Sequence, residues 1–166
     1  MTTAIDNLPR WDMTPLYPSL ESAEFQAAYQ DVIDRIGTLE KLFEAKGVQR
    51  LEGAPADTAS AARDLEEVVR AQNEFSDHSR TVGAFISSFI TTDSRNDLAQ
   101  ARQSELQGHF VRSAKLSTRF AAWVGSLDLD ALLPHSQYLR EHEFALRRTS
   151  ERARRQMSPA EEDLAA

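Results

Sequence analysis

The feature that most constrains this chain is a set of six large apolar residues between positions 25 and 43. Phe25, Tyr29, Val32, Ile36, Leu39 and Phe43 follow one another at intervals of 4, 3, 4, 3 and 4 residues. A strand alternates with period two, so this spacing would scatter the six side chains over both faces of a sheet. An α-helix gathers them into one stripe. Ser22 precedes the stripe as an N-cap, and Gly47 follows it as a C-cap.

The rhythm recurs after Pro55, where Asp57 or Thr58 opens a second helix. Leu65, Val68, Gln72, Phe75, Ser79, Val82, Ile86 and Phe89 carry it to about Ile90. Such a helix spans roughly 50 Å, longer than a compact domain is wide. Thr91-Thr92-Asp93-Ser94 punctuates the chain and offers new caps. A third helix carries Leu98, Leu106, Phe110, Ser113, Leu116, Phe120, Val124 and Leu127 near one side, weakened locally by Gly108 and Gly125. One helical turn over 128–133 ends at Pro134. A fourth long helix is expected over about 135–155, with Leu139, His142, Leu146, Thr149 and Ala153 on one face. No alternating run marks a strand. The sequence therefore predicts an all-α fold, long antiparallel helices in an elongated bundle or hairpin domain over residues 21–157.

Residues 1–20 form an irregular lead-in, because Pro9, Pro15 and Pro18 interrupt regular structure; Trp11, Leu16 and Tyr17 give it apolar anchors. At the other end, Ser158-Pro159-Ala160-Glu161-Glu162 has the cap, the proline and the acidic first turn of a helix start. Only four residues follow it, too few to sustain a helix. Residues 158–166 are therefore expected to lead into a further domain, with this chain the expected front portion of a longer protein.

Composition bounds the function. A chain of 166 residues with 41% hydrophobic content can bury a core of its own. It has no cysteine, so disulfides, thiolate metal sites and cysteine nucleophiles are excluded together. No secretory signal and no membrane-length apolar run is visible, so the expected location is the cytoplasm, without membrane attachment. The net charge of −7 lies entirely in the first 75 residues, where 14 acidic side chains face 7 basic ones. An acidic surface is the wrong sign for a nucleic-acid partner.

Little catalytic chemistry is visible. His142-Glu143 begins a zincin-like His-Glu-x-x-His helix, but position 146 is Leu; the inverted form fails because position 138 is Tyr. His142 is therefore expected to be a partly buried helix-face residue, and His78, His109 and His135 add no helical pair. No phosphate-binding glycine loop or Gly-x-Ser-x-Gly elbow occurs. Glu66-Glu67 and Glu161-Glu162 are adjacent pairs that point to different sides of a helix, expected as solvated surface. The run Arg147-Arg148 through Arg152, Arg154 and Arg155 suits the polar side of a helix near its C-terminus. No catalytic, cofactor-binding or metal-binding residue is expected here.

Ordered short motifs point further. Trp11-Asp12-Met13-Thr14-Pro15-Leu16-Tyr17-Pro18 resembles the opening of oligoendopeptidase F-type zinc metallopeptidases. Phe25 and its helix resemble that family's first helix, and Phe85 to Asp93 (FISSFITTD) resembles its aromatic, small-residue, Thr-Asp segment. Phe120-Ala121-Ala122-Trp123-Val124, Phe144-Ala145-Leu146 and Met157-Ser158-Pro159-Ala160-Glu161-Glu162 continue the order. The resemblance covers the whole chain but only the first quarter to third of a family member. It implies a parent that is a cytoplasmic zinc endopeptidase cutting short peptides, with its zinc-binding helix downstream. This chain would be the helical, non-catalytic N-terminal domain, inactive alone and one wall of a channel. Its expected partners are the absent catalytic domain, oligopeptide substrates of the parent and, for an isolated segment, a second copy. The competing expectation is a free-standing acidic helical interaction or scaffolding protein.

Overall fold

The computed structural model describes residues 12–155, and every regular element within them is helical. The fold is all-α. Trp11 and the helix start at 158–166 lie outside the described residues.

Helix α1 runs Ala23–Ala45, opened by the Ser22 hydroxyl accepting from the Phe25 amide. All six residues of the stripe are buried. Gly47, at φ 59°, turns the chain through the left-handed region, so that the Val48 amide reaches back to the Phe43 carbonyl at 2.8 Å. Val48 thereby folds under the end of its own helix and is fully buried. Helix α2, Thr58–Thr92, begins where the Asp57 carboxylate accepts from the amides of Ala59 and Ser60. Helix α3, Asp97–Ser126, is capped by the Asn96 side chain accepting from the Ala99 amide.

Cross-helix pairs give the directions. Asp31–His78, Arg35–Glu74 and Lys46–Asp64 descend along α2 as they ascend along α1, so these helices run oppositely. Tyr29–Arg102, Glu40–Arg112 and Glu44–Arg119 ascend together, so α1 and α3 run the same way. The ion pairs among these are partly exposed and contribute little to stability. They set register; the apolar interior supplies the stability.

That interior divides into two clusters. One, under the α2–α3 corner, holds Phe25, Tyr29, Val32, Val82, Phe85 and Ile86 with Leu20 and Leu106. The other, at the opposite end, joins Leu39, Phe43, Val48, Leu65 and Val68 to Leu116, Trp123 and the residues that follow α3. Phe75 packs against both clusters, and its ring meets Phe110 edge-on at 6.3 Å. Between the clusters, α2 buries nothing fully from Val69 to Val82; Gln72, Ser76 and Ser79 lie half-buried there.

Three expectations need correction. The continuous helix over about 135–155 is interrupted twice. Helix α4 spans Leu129–Leu132, a 3-10 turn Leu133–His135, α5 Gln137–Glu141 and α6 Glu143–Arg154. Pro134 sits in the 3-10 turn, Ser136 caps α5 by accepting from the Leu139 amide, and His142 (φ −102°, ψ 8°) bends the chain between α5 and α6. Second, Leu16 is not an anchor but 44% exposed; Leu20 is buried instead, and Tyr17 is half-buried. Third, α3 turns Ala99 rather than Leu98 inward, and α6 buries Ser150 beside Leu146 while Thr149 is half-buried. Helices α3 and α6 approach so closely that a Cβ on Gly125 would lie 2.6 Å from the Ala153 Cβ.

Candidate functional site

One concavity is made by two segments far apart in sequence. In the lead-in, Asp12 accepts from the amide and the hydroxyl of Thr14 at 3.0 and 2.7 Å. The Met13 carbonyl then accepts from the amides of Leu16 and Tyr17. This turn aims the Tyr17 ring edge-on at Phe25 and Phe85, with centroids 5.7 and 5.0 Å away. Phe85 in turn meets Phe89 at 5.1 Å. Between the turn and the last turns of α2 lies a cleft of about 730 Å³, within the size range of small-ligand sites. Met13, Tyr17 and Phe89 supply its apolar lining, and Asp12 and Asp93 stand at its edge. The two bonds from Thr14 favour the charged form of Asp12 and hold its carboxyl below the usual range.

The histidines do not converge. His142 Nδ1 lies 2.9 Å from the Tyr138 carbonyl, so that nitrogen carries the proton. Nε2, 3.1 Å from Asn73 Nδ2, is then the acceptor. The same Asn73 nitrogen donates to the Tyr138 hydroxyl at 2.8 Å, and the Arg70 guanidinium lies 3.7 Å over the Tyr138 ring. Both imidazole nitrogens are thus engaged, Nδ1 within the α5–α6 bend and Nε2 in tying that bend to α2. Glu143 pairs with Arg147 instead. His78 pairs with Asp31, His109 lies half-buried on α3, and His135 lies in the 3-10 turn. Among the described residues, no three His, Asp or Glu side chains are arranged to hold a metal ion.

Glu66 and Glu67 do point to different sides of α2, but neither is merely solvated. Glu66 accepts from the buried Ser136 hydroxyl and from Arg70, which hold its carboxyl below the usual range, Ser136 foremost. Glu67 pairs with Lys46, which also meets Asp64. Of the basic run, Arg147 bridges Asp130 and Glu143 at 2.6 and 2.7 Å, beside a polar hollow of about 400 Å³ at the end of α3. Arg148, Arg152 and Arg155 are exposed. Glu161 and Glu162 lie outside the described residues.

No local pattern marks the cleft, since its walls are separated by all of α1 and most of α2. Its described lining comes from residues 12–18 and from residues 88–96. No described helix is long and apolar enough to cross a membrane. Compared with protein-family models, with curated proteins and with solved structures, the chain matches none.

Proposed function

We propose that this chain is a helical, non-catalytic domain of a cytoplasmic zinc oligoendopeptidase of the oligoendopeptidase F type. In this reading its long antiparallel helices form one stiff wall of a channel. The wall admits extended oligopeptides and excludes folded proteins by size. One observation carries the proposal. Tyr17 from the opening motif, Phe25 from the first helix and Phe85 from the FISSFITTD segment pack as one aromatic group. Motifs that signal a common domain are expected to be coupled in its core in this way.

The zinc of such a parent does not fit residues of this chain. Leu146 and Tyr138 occupy the positions where a second histidine would be required. No step of hydrolysis is therefore assigned to any residue here; the domain's contribution is steric. The acidic excess of residues 1–75 adds a preference for cationic peptides, one that salt screens.

The reading frame beyond Ala166 is the first test. Continuation into an H-E-x-x-H segment is the expected result, and a stop codon directly after Ala166 would instead leave the acidic scaffolding role. The second test shortens the α1–α2 pair in the full-length enzyme and compares cleavage of a short peptide with that of a long unfolded chain. Retained short-peptide turnover with a gain on the long substrate is expected. An unchanged length preference in a folded, active variant would refute the gating role.

A further inference from the structure

We propose that the cleft between the lead-in turn and the end of α2 binds an organic cation with an apolar stem, an alkylammonium group such as a lysine side chain. The inference stands on the polarity of the cleft and does not rest on the peptidase reading.

Four aliphatic hydroxyls belong to residues that line the cleft, and each directs its proton away from a ligand. Ser88 donates to the Phe85 carbonyl at 2.6 Å, and Thr92 donates to the Ser88 carbonyl at 2.7 Å. Thr91 donates to the Ser87 carbonyl at 2.9 Å, and Thr14 to Asp12 at 2.7 Å. A hydroxyl has a single proton, so all four are left presenting lone pairs. The two carboxylates at the edge are acceptors by nature. Asp93 receives one bond, from the Arg95 amide, and keeps its second oxygen free of any bond among the described residues. Three neighbouring backbone donors are also engaged. The Thr14 amide bonds Asp12, the Asp93 amide bonds the Phe89 carbonyl, and the Asn96 amide bonds the Asp93 carbonyl.

Among the described lining side chains, the donors left are the Tyr17 phenol and the Asn96 amide nitrogen. Among the described residues, no Lys, Arg or His lines the cleft. A rim so rich in acceptors repels anions and gives a neutral ligand few donors. An ammonium, with three donors and no acceptor, matches it. Below the rim, Met13, Tyr17 and Phe89 offer an apolar bed for a methylene stem, and the two rings can face the cation.

The test uses the full chain, uniformly labelled with nitrogen-15, and follows amide shifts on titration with n-butylammonium, with n-butanol and with butyrate. Butylammonium, and separately a lysine amide, should give saturable shifts at Thr14, Thr92 and Asp93. Butanol should bind about tenfold or more weakly, and butyrate should shift none of these amides. The exposed double variant Asp12→Asn/Asp93→Asn keeps the local hydrogen-bond acceptors and should lose about tenfold in affinity for butylammonium. Equal affinity for butanol and butylammonium, or no saturable shift, would overturn the proposal. So would an unchanged affinity in a double variant with a native spectrum. The butanol comparison is made on the unaltered chain and decides the matter even if the double variant fails to fold.

Discussion

Gly125 sits within α3, one residue from its end, where a glycine ordinarily weakens a helix. Replacing an exposed mid-helix glycine by alanine gains up to about 1 kcal/mol from propensity. At Gly125 that gain meets an obstacle, since the new Cβ would lie 2.6 Å from the Ala153 Cβ and 3.8 Å from the Ser150 carbonyl oxygen. An alanine Cβ has no rotamer with which to move aside. Helix α6 must instead retreat by about 1 Å to reach ordinary contact, and overpacking of this kind costs roughly 1–3 kcal/mol. Gly83 and Gly108 are the controls, because a Cβ at either meets nothing within 4 Å. Gly83→Ala and Gly108→Ala should therefore stabilise by up to about 1 kcal/mol, and Gly125→Ala should fall below them by roughly 1–3 kcal/mol. Urea unfolding followed by circular dichroism measures this as opposed shifts of the midpoint at constant m-value. A double-mutant cycle with Ala153→Gly isolates the clash as a favourable coupling. If Gly125→Ala stabilises as much as Gly108→Ala, the close approach of α3 and α6 is wrong.

Other outcomes follow from the buried polar groups. The Tyr29 phenol is pushed up to about 12, first by burial and then by the negative charge of Glu105, against the opposing influence of Arg102. Its folded value is raised, so the stability it contributes is present below the ordinary value near 10.0 and is lost as pH rises through about 12. Absorbance titration at ultraviolet wavelengths should show a late step that Tyr29→Phe removes; the same curve in both proteins would contradict the assignment. Glu66 has a lowered folded value, so its contribution is present above 4.5 and is lost as pH falls through that lowered value. The stability gap between the parent chain and Ser136→Ala should accordingly narrow as the solution is acidified, and a gap independent of pH would count against the Glu66–Ser136 bond. Sedimentation equilibrium over a wide concentration range should reveal self-association of the isolated chain, whereas a constant monomeric mass would remove that expectation.

The stripe of α1 was legible in full, because its register, cap and terminating glycine all agree locally and tertiary packing had nothing to overrule. The two long helices that follow were legible for the same reason, even with Gln72, Ser79 and Ser113 in their apolar rows. The interruption at His142 was not. Glu141-His142-Glu143 carries no breaker, and the bend is fixed by an imidazole bonded to Asn73, 69 positions away in sequence. Leu16 misled for a related reason, since hydrophobicity cannot tell which residue of an irregular turn faces inward. The cleft was illegible because the direction in which a hydroxyl spends its proton depends on the backbone carbonyl beside it.

The narrow middle of α2 has a consequence for how the molecule opens. Two separate apolar clusters share the same three helices, and between them stand Ile36, Phe75 and Phe110 among half-buried polar side chains. Cooperativity in unfolding depends on how strongly such parts are coupled. With so thin a junction, amide hydrogen exchange should resolve two units, the end that holds α4, α5 and α6 and the end under the α2–α3 corner, each opening while the other stays closed. The Phe75–Phe110 ring contact, rather than either cluster, then sets how far the chain melts as one unit.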